Sequence, residues 1–301
     1  MNSKKWKFSL LGFCLLTSSL LYSQDYSETS YSKLKVVSWN VQMLPNNFSF
    51  LSKFLRKKQN IRAPRIINHC ISDNFDIIVF QELFDLKIRK KFMKELKNSY
   101  PYQVKPFKGN MAFVSNGILI VSRVPLKYID HVIFKPGLTA DKFAAKGCTL
   151  VEAEKDGSTI QIAGTHLQAG RSGKAQIQRE MQYSDIRRLL EQNKTQTIPV
   201  ILLGDLNTKK SKSEDYFKML ESISMEDPTI KDKQLYTFDS NNYWNDNASS
   251  SQLDYILIQR RKTNSKIINT KILRPKFIFK GNEIDLADHY AISADIIFTN
   301  K

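Results

Sequence analysis

Short, β-branched apolar runs recur from residue 33 to residue 299, with no internal repeat and no Pro- or Gly-rich linker to divide them, so one fold must bury them all. Runs of this length, bounded by polar or turn-forming residues, predict strands at 34–39, 76–81, 117–122, 126–134, 147–154, 159–165, 200–204, 253–258, 266–273 and 290–298. Longer amphipathic stretches predict helices at 62–72, 86–98, 174–192 and 214–222. The third carries Ile177, Met181, Ile186, Leu189 and Leu190 on roughly one face. More strands than helices predicts an α/β fold of two sheets packed face to face, with the helices outside. At 301 residues, 42% of them hydrophobic, the chain has the material for one such core.

The segment ahead of this region has the character of a leader. Lys4, Lys5 and Lys7 precede an apolar run at 8–21, and small residues lead to Ser23. This pattern predicts a signal peptide at 1–23, a polar lead-in at 24–32 and one domain at 33–299. The apolar run is shorter than the ~20 residues that a spanning helix needs. Phe13 stands before Cys14, where a lipoprotein signal needs a small residue. Secretion is therefore expected, to the cell exterior or a periplasm. Cleavage removes three lysines and lowers the formal net charge from +17 to +14. That balance suits an anionic partner such as nucleic acid or phospholipid headgroups, but lysines scattered on solvated helices produce it equally. Cys70 and Cys148 then remain. Without a CxxC pair or Cys/His cluster, finger-type zinc is excluded, and nothing in the sequence brings the two together for a disulfide.

Polar residues with chemical capacity stand at the ends of the apolar runs, where strands would deliver them to one rim. Asn40 follows KVVSW, Glu82 follows DIIVFQ and His166 follows IQIAGT. Asp205 and Asn207 follow VILLG, Asp254 opens DYILI, and Asp288 and His289 precede YAISADI. Singly, each reads as a turn or cap residue. Gathered at strand ends, carboxylates and imidazoles read as a site. Phosphodiester hydrolysis would employ them all, because it needs charge neutralised, a water activated and the pentacoordinate oxygens stabilised. Oxygen donors such as Glu82 and Asn40 suit a hard ion like Mg²⁺. Asp205 can take the proton of the attacking water. His166 and His289 can donate to phosphoryl oxygens, and Asp254 beside His289 would fix its tautomer and favour its cation.

In this order, SWNVQMLP around Asn40, QELFD at 81–85, NGILIVSRVPL at 116–126, GTHLQAG at 164–170, GDLN at 204–207, LDYI at 253–256 and ADHY at 287–290 resemble the endonuclease/exonuclease/phosphatase superfamily. The resemblance covers nearly all of 34–298. It implies a DNase I-like four-layer α/β sandwich, two mixed sheets flanked by helices, with the site at the mouth between the sheets. QELF, GTHLQA, ADKFAAKG at 140–147, and Thr237, Asp239 and Asn242 ahead of LDYI resemble the bacterial neutral sphingomyelinases in particular. That branch implies a secreted phosphodiesterase that hydrolyses sphingomyelin to ceramide and phosphocholine. It would use one or two Mg²⁺ ions, for which Mn²⁺ or Co²⁺ can substitute. The resemblance puts Asn40, Glu82, Asp288 and the backbone carbonyl of Phe84 at the metal. It assigns the chemistry to His166, Asp205, Asn207, Asp254 and His289, and has Asp141 and Lys146 act together near the site. The implied partner is sphingomyelin or a related phospholipid at a membrane surface. No protein partner is readable, and a monomer is expected.

One segment departs from that branch. Membrane-attacking sphingomyelinases have a long hairpin tipped by exposed aromatics before the final DH pair. Here KFIFKGNEIDLA at 276–287 is short and has no Trp, although Phe277 and Phe279 alternate as on a strand. Two other readings stand beside the lipid enzyme. One is a secreted DNase-like nuclease, which the mature charge would serve. The other is a catalytically silent surface-binding module on the same fold.

Overall fold

Central strands here are apolar on both faces, because each sheet is covered twice. The computed structural model describes residues 31–45, 52–109, 112–228, 235–246, 248–260 and 263–299. The expected signal peptide and most of the polar lead-in lie outside the described residues. In chain order the elements are β1 Ser32–Met43, α1 Ser52–Ser72, β2 Ile77–Leu83, α2 Leu86–Leu96, β3 Tyr102–Val104, β4 Leu119–Ser122 and β5 Leu126–Ile133. A short 3₁₀ turn at Thr139–Phe143 leads to β6 Gly147–Lys155, β7 Ser158–His166, α3 Gly173–Gln192, β8 Val200–Asp205 and α4 Ser213–Ile223. The chain closes with β9 Met225–Glu226, β10 Asp254–Gln259, β11 Ser265–Leu273, β12 Lys276–Phe279, β13 Asn282–Asp285 and β14 Ala291–Phe298.

One sheet has the order β11-β14-β1-β2-β4-β3, and the other β5-β6-β7-β8-β10-β9. Two neighbouring pairs, β1–β2 and β7–β8, are parallel. Each needs a crossover, which α1 and α3 supply. Alternation along the strands then sorts residues into three cores. Leu34, Val36, Ile77, Val79, Ile162, Ile201 and Leu203 meet between the sheets. Val37, Trp39, Ile78 and Phe80 point the other way, to Ile66 and Ile67 of α1 and Phe92 of α2. Leu202, Tyr255 and Leu257 pack on Ile186, Leu190 and Met219 of α3 and α4. The result is the expected sandwich of helices, sheet, sheet and helices. Cys70 and Cys148 are free thiols buried in different outer cores, so they form no disulfide.

Four local outcomes differ from the periodicity, one of them in α3, where Ile177 and Met181 of the expected stripe are 59% and 42% exposed. Helix α1 starts at Ser52 rather than residue 62, since its first turns carry Arg56, Lys57 and Lys58 and show no apolar stripe. Pro64 is accommodated inside it. Strands β3 and β9 are too short to display alternation. The segment before the DH pair forms a separate hairpin, β12 with β13. Phe277 packs on the core beneath α1, while Ile278 is 67% exposed.

Close approach dictates Gly204. It pairs with Thr165 across β7 and β8, and a Cβ there would lie 2.1 Å from the Thr165 carbonyl oxygen. Gly204→Ala must push these strands apart beside the site. We expect it to destabilise by ~1–3 kcal/mol, read as a lower Tm in thermal melts. An unchanged Tm would show that the two strands yield freely at this point.

Candidate active site

Strand register assembles the site. Asn40 at the end of β1 pairs in register with Gln81, next to Glu82 on β2. On the other sheet, His166 at the end of β7 faces Asp205 at the end of β8. Because β10 runs antiparallel to β8, its first residue, Asp254, also faces Asp205. The turn into β14 carries Asp288 and His289 to the same mouth. Glu82 and Asn207 adopt φ of +56° and +49°, a region ordinary side chains occupy only when their surroundings hold them there.

Asp205 is the centre. Its Oδ1 accepts the Asn207 amide at 2.9 Å, and its Oδ2 accepts Asn40 Nδ2 at 3.1 Å. His166 Nε2 and His289 Nε2 approach the same Oδ2 at 3.5 and 3.8 Å. Burial, reinforced by Asp254, pushes the Asp205 carboxyl up to about 6, with His289 and Lys146 resisting. The nearby Asn207 side chain donates to Leu167 O at 3.2 Å.

The two histidines are pushed in opposite directions. His289 Nδ1 lies 2.8 Å from Asp254 Oδ2. Burial alone would lower its pKa, but Asp254 and Asp205 together raise it well above the ordinary value, so the ring is cationic. His166 is driven well below by burial, then by Lys146 and His289. Lys146 Nζ sits 3.1 Å from His166 Nε2, 2.8 Å from Leu167 O and 2.9 Å from Asp141 Oδ2. His166 Nε2 thus lies between the Lys146 ammonium and Asp205 Oδ2, while its Nδ1 is buried without a hydrogen-bond partner among the described residues. Asp141 also accepts the Ala169 amide at 2.8 Å. Lys146 and Asp141, expected to act together near the site, are thus an ion pair beside His166.

Asn40 Nδ2 donates to Glu82 Oε1 at 3.0 Å, and Gln42 Nε2 to Asp288 Oδ2 at 2.7 Å. Burial and the Asp288 charge push Glu82 up to about 7, and burial raises Asp288 too. Asp288 Oδ1 is buried without a hydrogen-bond partner among the described residues. Crowded oxygen donors, a raised carboxylate and an orphaned oxygen fit a hard divalent cation. Phe84 can contribute only its backbone there, since its ring packs against Gly117. A second group, Asp205, Asp254 and His289, brings ligand-capable atoms within 4.8 Å of one another. Two of these already serve each other through the Asp254–His289 hydrogen bond.

Sequence reading missed one support and named others without giving them a role. The buried Arg62 guanidinium donates to Val41 O, Gln42 O and Leu286 O, tying α1 to both the Asn40 strand and the DH turn. Nothing in the pattern separated it from its many basic neighbours. Thr237 Oγ1 accepts the Leu253 and Asp254 amides, Tyr290 OH donates to Asp239, and Asn242 donates to Ala287 O. These three residues position the strand and turn that carry Asp254 and His289. The catalytic groups open into a cavity of about 490 Å³.

Residues 37–267 match the Endonuclease/Exonuclease/phosphatase family. Sphingomyelinase C of Leptospira interrogans is 30% identical over 287 residues, covering 86% of this chain and 51% of that protein. The chain thus spans about half the length of that relative. Sphingomyelinase C of Bacillus cereus is 25% identical over 327 residues and covers 95% of each. Among solved structures, a mutant beta toxin from Staphylococcus aureus with bound magnesium ions matches at a TM-score of 0.75 and 25% identity, covering 87% of this chain and 99% of that one. The chain belongs to the Endonuclease/Exonuclease/phosphatase family.

Proposed function

We propose that this family member is a secreted, Mg²⁺-dependent phosphodiesterase of the sphingomyelinase type, hydrolysing sphingomyelin or a related phospholipid and releasing ceramide and phosphocholine from sphingomyelin. One juxtaposition carries the reading: a carboxylate held by two donors, a histidine locked by a buried aspartate, and Glu82 from a crowded set of oxygen donors line one cavity. Asp205 takes a proton from water as the water oxygen bonds to phosphorus and the bond from phosphorus to the ceramide oxygen breaks; that oxygen takes up a proton from solvent to leave as ceramide. Cationic His289 and Lys146 offset the charge that grows on the phosphoryl and leaving oxygens. Asp254 keeps the His289 proton on Nδ1 and its Nε2–H toward the reacting centre. Bound at Asn40, Glu82, Asp288 and the Phe84 carbonyl, Mg²⁺ would neutralise phosphate charge. The apolar run behind three lysines at the N-terminus supports secretion. No helix among the described residues is long and apolar enough to cross a membrane.

The mature protein, given Mg²⁺ and either sphingomyelin liposomes or plasmid, is expected to release phosphocholine and to leave the plasmid intact. Nicking without phosphocholine would replace the lipid reading with the nuclease one. Neither product would favour the silent binding module, against which stands the retention of every expected catalytic and metal position.

A further inference from the structure

The active-site cavity continues beyond the catalytic groups to an outer wall. Residues 170–173 at the start of α3 form one side of it, and Lys209 and Lys212 ahead of α4 form the other. Arg171 and Lys209 converge on one hydroxyl, Ser249 Oγ, at 3.2 and 2.8 Å. Burial and the charges of Arg171 and Lys212 lower the Lys209 pKa, which marks three cations crowded together. Among the described residues, none of the three has a carboxylate within ion-pair distance. Their neighbour Lys210, by contrast, is paired with Asp227 at 2.9 Å. Arg179, also on the wall, spends its guanidinium on Gln168 O, Gly170 O and Gln176 Oε1. Among the described residues, Asp215 is the one acid on this outer wall. The start of the 20-residue α3 adds partial positive charge to the same side.

Like charges crowded beside a reaction centre are costly unless something anionic joins them. A basic, hydrated wall cannot bury acyl chains, so it must face the headgroup side of the scissile phosphate. It is equally ill-suited to a quaternary ammonium, which is held by aromatic faces. The one aromatic among the lining residues, Phe238, packs against the His289 ring with centroids 4.9 Å apart. Polynucleotides call for a track of cations and stacking platforms rather than one cationic wall.

We propose that Arg171, Lys209 and Lys212 form a subsite for a second phosphate-class anion carried on the substrate's headgroup. Sphingomyelin is then a substrate, and lipid phosphodiesters with anionic headgroups are better ones. This rests on the phospholipid reading of the catalytic site.

Short-chain phospholipids kept below their micelle concentration remove any attraction to a charged membrane. With identical acyl chains, an inositol 4-phosphate headgroup is expected to give a kcat/KM about tenfold above that of choline, the worth of roughly one charge-assisted hydrogen bond. In the Arg171→Gln/Lys209→Gln variant that ratio should fall toward one. A ratio of two substrates does not depend on how much of the variant is folded. A wild-type preference for choline, or a preference that survives both substitutions, overturns the subsite while leaving the phospholipid reading intact. Hydrolysis of neither lipid overturns both. Plasmid nicking that disappears in the variant would assign the cations to a nucleic-acid backbone and end the proposal.

Discussion

Asp205→Asn is expected to lower kcat by about 10²–10⁴-fold, the usual worth of a positioned base, with a far smaller change in KM. Asparagine keeps the shape and can still accept the Asn207 amide, so the loop after β8 should hold. What it loses is the oxygen that two histidines and Asn40 surround. That oxygen belongs to a carboxyl pushed up to about 6, so the wild type carries a substantial protonated fraction in mild acid. A base must be deprotonated, and the wild-type rate should therefore rise with pH as Asp205 ionises, with bound Mg²⁺ drawing that limb below about 6. The variant should lack that limb. Rate measurements across pH, with KM determined at each point, separate the possibilities. A variant with normal kcat and a raised KM would make Asp205 a binding residue, and the base would have to be sought elsewhere.

Strand ends were legible because two signals coincide there: a period-two apolar run stops, and a chemically capable residue begins. That is why Asn40, Glu82, His166, Asp205, Asp254 and His289 could be named from the chain alone, and why the register then brings them together. What holds them lay beyond reach. Gln42 reaches Asp288 across 246 positions of sequence, and Arg62 clasps carbonyls from two other segments. Neither has a local pattern, since the first contact exists only once β1 lies beside the turn into β14, and the second only once α1 docks on the sheet. Charge states were equally hidden. His166 and His289 look alike in sequence, but one faces a lysine and the other two aspartates. The start of α1 escaped for the opposite reason: its polar first turns carry no periodicity to read. Arg171 and Lys209 were invisible among the many basic residues, because only folding makes them share Ser249.

Glu82→Gln is expected to cost about 10²–10³-fold in turnover, equivalent to the several kcal/mol of charge stabilisation a bound cation supplies. Added Mg²⁺ should recover little. A second readout, protein stability, does not depend on activity. Folding pushes Glu82 up to about 7 and Asp205 up to about 6, whereas the unfolded chain releases such protons near pH 4. Between those limits the folded state binds more protons than the unfolded one, so stability falls as pH rises. Chelated wild type should therefore show its Tm dropping from about pH 4 to pH 7 as these two carboxyls ionise. Mg²⁺ binds the ionised carboxylates, so its stabilising effect should grow over the same range. At a hundred times its dissociation constant it would amount to about 2.7 kcal/mol. Glutamine at position 82 removes both a ligand and a proton site, so the Mg²⁺ response should collapse and the chelated Tm should fall less steeply with pH, the Asp205 part of the slope remaining. An undiminished Mg²⁺ response in the variant would place the ion at Asp205, Asp254 and His289 instead. Full turnover by the chelated wild type would remove the metal from the mechanism.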